Sequence, residues 1–243
     1  ENDYSDDKNP DSGPSAAVLG SSAVSLPGVL LTQLAALRAL AAGGLDPTVH
    51  PPVSVVGHSQ GVLAVESVAS SGHQDGTLLA IAQIIGAAAG LVGRRRGVIA
   101  AGGRSPMVAV SQVDPERLRA VVAEIADGVD SAKAPILAIR NGRRRVVLSG
   151  PPAQLARVQQ RCKEISDSES RERTSKKRGG SVFSPVFEDV ATEIGFHHPA
   201  LGEAVELVEQ WATRCGIDVE LAGKSARATL VDPVDWVDTV DAI

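Results

Sequence analysis

The residues best placed to do chemistry are Gly57-His58-Ser59-Gln60-Gly61. A short β-branched run, Val53-Ser-Val-Val-Gly57, precedes them, and apolar residues at helical spacing (Val62, Leu63, Val65, Val68) follow. Strand, sharp turn and helix are the context in which a G-x-S-x-G sequence becomes a nucleophile elbow. The turn would hold Ser59 in a strained backbone conformation with its hydroxyl projecting, and the flanking glycines would remove Cβ atoms that collide there. The following helix directs its free N–H groups and dipole at the serine, and the Gln60 backbone N–H is placed to stabilise an oxyanion. The chemistry implied is acyl transfer through an ester on Ser59.

Such a serine needs a base, and the chain has five histidines. His58 adjoins the nucleophile on the turn, so it is read as structural. His50 precedes a proline pair and His73 sits in a Ser-Gly-His-Gln-Asp-Gly loop, so both are read as surface residues. His197 and His198, in Ile194-Gly-Phe-His-His-Pro-Ala-Leu201, are left as candidates. Spacing does not choose between them, and no isolated Asp or Glu between Ser59 and this pair stands out as a third catalytic member.

The elements that must position these groups can be read from periodicity. Leucines at 30, 31, 34, 37 and 40 predict a helix over 28–42, stopped by Gly43 and Gly44. Residues 53–57 predict a buried parallel strand, and 76–92 a helix apolar on most sides. From Pro106 the pattern becomes strand (107–112), helix from Asp114-Pro115, two strands (136–140 and 146–149) joined at Asn141-Gly142, and a helix from Pro151 to about 165. That order predicts a ferredoxin-like α+β subdomain over 104–196. It would be inserted into an α/β-hydrolase-like core with a parallel sheet, formed by 16–103 and 197–243. Residues 1–15 read as a linker, 166–181 as a solvated loop or exposed helix, and 201–215 as an amphipathic helix.

Composition limits the alternatives. Only three Phe, two Trp and one Tyr occur among 243 residues, and the net charge is −5, so base stacking and general polyanion binding are not expected. Cys162 and Cys215 match no metal-ligand spacing, and no metal or bound cofactor is expected. No uninterrupted apolar run suggests a bilayer span, and a cytoplasmic protein with no membrane partner is expected. Three basic clusters, Arg94-Arg95-Arg96, Arg143-Arg144-Arg145 and Lys176-Lys177-Arg178, could serve solubility or attract phosphates or an acidic carrier protein.

Gly-His-Ser-Gln-Gly, then Arg140-Asn-Gly followed by Val-Val-Leu-Ser-Gly-Pro-Pro152, then Gly-Phe-His-His-Pro together resemble acyl-CoA:acyl-carrier-protein transacylase domains. The likeness runs from about Ser21 to the C-terminus. It is nearest the acetyltransferase domain of the type I fatty acid synthases of bacteria, of the actinobacterial type. The resemblance implies a Ser59–His197 dyad whose histidine is held by backbone carbonyls, with His198 where the family often has a small residue. It also implies a ping-pong reaction from acetyl-CoA, through acyl-Ser59, to the phosphopantetheine thiol of an acyl carrier protein, inside a homo-oligomeric multifunctional enzyme. Malonyl-selective relatives carry an arginine about 25 residues past the nucleophile. Ile85 stands near the matching position here, which implies an acyl pocket for an uncharged group. The second oxyanion turn and the family's C-terminal glycine-rich segment are not found, so a piece of a longer or trimmed domain, weakly active or inactive alone, is expected. An esterase or thioesterase with the same elbow is the alternative, and a non-catalytic scaffold the third reading.

Overall fold

Leu26, Leu30 and Leu34 recur every four residues, so they line one face of a helix and bury together. The computed structural model describes residues 15–47, 49–69, 74–176 and 182–242. It opens with a short helix α1 (Ala16–Gly20), capped by the Ser15 hydroxyl, and then α2 (Ser22–Ala42). The elbow leads into α3 (Gly61–Ala69), and α4 (Asp75–Arg96) follows. Near the C-terminus come a 3-10 turn (Pro199–Leu201), α7 (Gly202–Cys215) and α8 (Val219–Leu230). One core joins Leu30, Leu34, Leu63, Ile81, Ile85, Val92, Val205 and Leu230 from these helices.

Between α4 and the 3-10 turn lie β1 (Met107–Ser111), α5 (Pro115–Ala126), β2 (Ile136–Gly142), β3 (Arg145–Ser149), α6 (Pro152–Lys176) and β4 (Val186–Asp189). A two-residue strand β5 (Val234–Asp235) and α9 (Trp236–Asp241) follow α8. The sheet order is β4-β1-β3-β2-β5, antiparallel except where β5 joins β2. Its first four strands, with α5 and α6, make the β-α-β-β-α-β motif. Side chains alternate across it as strand geometry requires. Val108, Val110, Val146 and Leu148 pack with α5 and α6, while Met107, Ile139 and Val147 point to the opposite face with Phe196 and Val190. The site is built between that second face and the helices.

Several expectations need correction. The α/β-hydrolase-like core with its parallel sheet is not what forms: among the described residues the regular elements of the first part of the chain are helices, and 53–57 pairs with no strand. A β-branched run becomes a strand only when a neighbour completes its ladder, and here Val53 is fully exposed. The β2–β3 turn is Arg143-Arg144 rather than Asn141-Gly142, because an irregularity in register between Arg140 and Gly142 carries β2 past the asparagine. The helix expected to stop near 165 runs to Lys176, and β4 was not foreseen. By length and composition alone, α2 and α4 could each cross a membrane, which apolar-run length did not suggest. More than half of that apolar stretch of α4 is buried in the protein core. The proposed linker, apart from Ser15, lies outside the described residues, as do His73, Lys177 and Arg178.

Helices α2 and α4 meet backbone to backbone at Gly86 and Ser22. A Cβ at Gly86 would overlap the Ser22 carbonyl oxygen and lie 2.8 Å from its carbon, while the Ser22 hydroxyl donates to the Gly86 carbonyl at 2.8 Å. Gly86→Ala should gain about 1 kcal/mol in helix propensity but lose about 1–3 kcal/mol to backbone overlap that no rotamer relieves. The expected result is a net destabilisation, seen as a lower denaturant midpoint with an unchanged slope.

Candidate active site

The elbow is held by Gly57. A Cβ there would lie 2.5 Å from the Gly61 carbonyl carbon and 2.7 Å from Val65 Cγ2, so the chain before the turn can lie against α3 only as glycine. Gly61 has nothing within 4 Å of such a Cβ, so steric exclusion does not require the second glycine. Ser59 takes a left-handed φ of +54°, a conformation that costs a non-glycine residue about 1–3 kcal/mol. It throws the hydroxyl out of the turn. The N–H groups of Gly61, Val62 and Leu63 bond to the carbonyls of His58, Ser59 and Gln60, whereas the Gln60 N–H has no protein acceptor among the described residues. It is the free donor at the start of α3 that an oxyanion requires.

His197 arrives on the segment between β4 and α7. Bonds from the Gly195 N–H to the Val98 carbonyl (2.9 Å) and from the His198 N–H to the Leu230 carbonyl (2.8 Å) pin that segment to the helical part. His197 also has a left-handed φ, +56°. Its Nε2 lies 2.8 Å from Ser59 Oγ, and its Nδ1 lies 2.8 Å from the Asp232 carbonyl oxygen. A carbonyl only accepts, so Nδ1 carries the proton and Nε2 presents a lone pair to the Ser59 O–H. Burial, opposed by the Asp232 hydrogen bond and assisted by nearby His58, pushes this imidazole down to about 4. It is therefore neutral and able to accept a proton at neutral pH.

His198 is fully buried and faces the other way. Its Nδ1 accepts the Ala200 N–H at 3.1 Å, and its Nε2–H donates to the Ala134 carbonyl at 2.9 Å. Both ring nitrogens are occupied structurally. His58 packs edge-on against Trp236 (centroids 5.3 Å, 78°) and is held below its usual pKa by burial. His50 is exposed, as its loop sequence suggested.

A cavity of about 390 Å³ opens over the pair. Leu26 and Val29 of α2, Met107 of β1, Ile139 of β2, Val190 and Phe196 supply its apolar wall, with Gln33, His58, Gln60, Thr192 and Thr229 among its polar groups. Ile85 is not part of that wall. It is buried in the helical core, and helical spacing cannot separate a core isoleucine from a pocket one. The α2 contribution was missed for the same reason, since Leu26 and Val29 read simply as helix residues. Among the described residues no cluster of side chains could hold a metal. Cys162 is buried and its thiol pushed up to about 11 by desolvation, which makes it unreactive.

A serine at a strained turn, a neutral histidine against it and a free N–H beside one cavity are the parts that acyl transfer through a serine ester would use. Residues 106–189 match the family model for the fatty acid synthase central AT domain. Three solved structures share the chain's architecture. The acyltransferase domain of the iterative polyketide synthase in enediyne biosynthesis is 23% identical, with a TM-score of 0.56, over 88% of this chain and 51% of that one. The malonyl CoA-acyl carrier protein transacylase from Clostridium perfringens is 16% identical, with a TM-score of 0.61, over 90% and 63%. The acyl carrier protein S-malonyltransferase from Vibrio cholerae is 16% identical, with a TM-score of 0.66, over 95% and 70%. The fold is that of the acyltransferases. The chain spans roughly half to two thirds of the first two structures, and no curated protein matches it in sequence.

Proposed function

We propose that this chain transfers an uncharged acyl group, acetyl in the first instance, from acyl-CoA to the phosphopantetheine thiol of an acyl carrier protein, as the acetyltransferase part of a cytoplasmic, homo-oligomeric type I fatty acid synthase. The observation that carries the reading is the 2.8 Å contact between Ser59 Oγ and a His197 Nε2 whose tautomer leaves it a base. His197 takes the Ser59 proton as Oγ attacks the thioester carbonyl, and the Gln60 N–H receives the developing oxyanion. The C–S bond then breaks, and His197 returns the proton to the departing thiolate of CoA. The carrier's thiol repeats these steps in reverse on acyl-Ser59. No bound cofactor takes part.

The uncharged acyl group is favoured by the cavity lining, which contains no Lys or Arg among the described residues. The two histidines there are both held below their usual pKa by burial, and so offer no compensating positive charge at neutral pH. A malonyl carboxylate in that wall would be buried without a partner, which is costly. A transferase rather than an esterase is favoured because His197 Nδ1 is oriented by a backbone carbonyl, not by the carboxylate that the esterase pattern calls for. Parallel incubation with acetyl-CoA and malonyl-CoA tests this by mass spectrometry. Acetyl should label Ser59 at least about 10-fold faster than malonyl, the order expected from burying one unpaired charge. Malonyl labelling without acetyl labelling would overturn the assignment.

A further inference from the structure

The two all-arginine clusters differ in what surrounds them. Arg94 pairs with Glu193 at 3.0 Å, Arg95 with Glu203, and Arg96 with Glu203 at 2.9 Å, so each arginine of that cluster already has a carboxylate partner. Arg143, Arg144 and Arg145 are exposed at the β2–β3 turn, and none pairs with a carboxylate among the described residues. Arg144 donates to the Gln112 carbonyl at 3.2 Å. The acids on the neighbouring turn are engaged elsewhere: Asp114 caps α5, and Glu116 bonds Arg119. A cationic tip without a carboxylate partner among the described residues is thus concentrated on one hairpin.

That hairpin reaches the active site. Ile139 of β2 forms part of the cavity wall, and Asn141 lies two residues further along β2 towards the tip. Between them Arg140 is anchored to Asp235 at 3.0 Å and Asp238 at 3.4 Å, which fixes β2 against α9. From Asn141 to Arg143 the chain advances roughly 7 Å if extended, and the arginine side chains add their own length. Arg143 is four residues beyond Ile139, at most about 13 Å of extended chain, so the tip lies within that reach of the cavity wall.

We propose that the Arg143–Arg145 tip binds the phosphates at the nucleotide end of the CoA donor while its thioester occupies the Ser59 cavity. This rests on the reading of Ser59 as the acyl acceptor. Coenzyme A carries a pyrophosphate and a 3′-phosphate at the far end of its pantetheine arm, and guanidinium forks match phosphate oxygens in both geometry and charge. An arginine pair with no carboxylate to satisfy has its full donor set free for them.

The experiment compares acetyl-CoA with acetyl-pantetheine, which has the same thioester but no phosphate, as donors to Ser59. For Arg143→Ala/Arg145→Ala, the ratio of kcat/KM for acetyl-CoA to that for acetyl-pantetheine should fall about 10- to 100-fold, through KM, as for the loss of one or two charged hydrogen bonds. In the wild-type protein the same ratio should shrink as ionic strength rises. Arg143→Lys/Arg145→Lys should recover part of it by keeping the charge. An unchanged ratio, an equal loss with both donors, or a loss confined to the step with a carrier-protein acceptor would each overturn the proposal. If wild-type protein forms no ester on Ser59 with either donor, the Ser59 reading itself fails, and this proposal with it.

Discussion

Ser59→Ala is expected to lower acyl transfer by about 10⁴-fold or more, because removing a serine nucleophile leaves only what binding and the oxyanion donor supply. The loss should appear in kcat, with KM for acyl-CoA nearly unchanged, since the cavity wall is untouched. Stability should respond in the opposite sense to activity at this residue. Ser59 holds a φ of +54°, which alanine must also adopt and glycine adopts freely. Ser59→Gly should therefore be as inactive as Ser59→Ala but about 1 kcal/mol more stable than it. Equal stability of the two variants in denaturant titrations would mean that the turn relaxes when the hydroxyl is removed.

His197→Gln should reduce acyl-ester formation by about 10²- to 10⁴-fold, the range associated with a lost general base. His198→Gln separates the two histidines. It disturbs the bond to the Ala134 carbonyl and so costs stability, but the base stays in place and turnover per folded molecule should be retained. The pH dependence follows from His197 being held at about 4, below its ordinary 6.5. The base remains neutral down to about pH 4, so the acid limb of ester formation should lie near that value rather than near 6.5, and His197→Gln should abolish it. Stability carries the corresponding sign. Between pH 6.5 and 4 the unfolded chain binds the proton that the folded site refuses. The contribution is complete above about 6.5, disappears as pH falls towards 4, and amounts to about 3 kcal/mol. Denaturation midpoints between pH 4 and 7 should fall more steeply for wild type than for His197→Gln.

The parts of this site visible in the sequence are those whose cause is local. Gly57 and Ser59 could be read because a tight turn admits few residue types, and the glycine's proximity to Gly61 and Val65 gives the physical reason. The β-α-β-β-α order could be read because period-2 and period-3.6 patterns alternate cleanly after Pro106. Non-local features could not. Whether Val53–Gly57 becomes a strand depends on a partner rather than on its own β-branched residues. The choice of His197 over His198 depends on the carbonyls of Asp232 and Ala134, and every residue has a carbonyl, so no side-chain pattern marks them. Ile85 and Leu26 are both apolar helix residues; only packing sends the first into the core and the second to the cavity. The hairpin turn passed from Asn141-Gly142 to Arg143-Arg144 through one irregularity in register, and that shift is what exposes the arginines at the tip.

The most direct measurement is the mass of the intact protein after brief exposure to acetyl-CoA, followed by peptide mapping. Wild-type protein should gain the mass of one acetyl group on the peptide containing Ser59, lose it on addition of a pantetheine thiol, and show no gain in Ser59→Ala. An acetyl group on any other residue, or an adduct that persists in Ser59→Ala, would contradict Ser59 and His197 as the acyl-transfer pair.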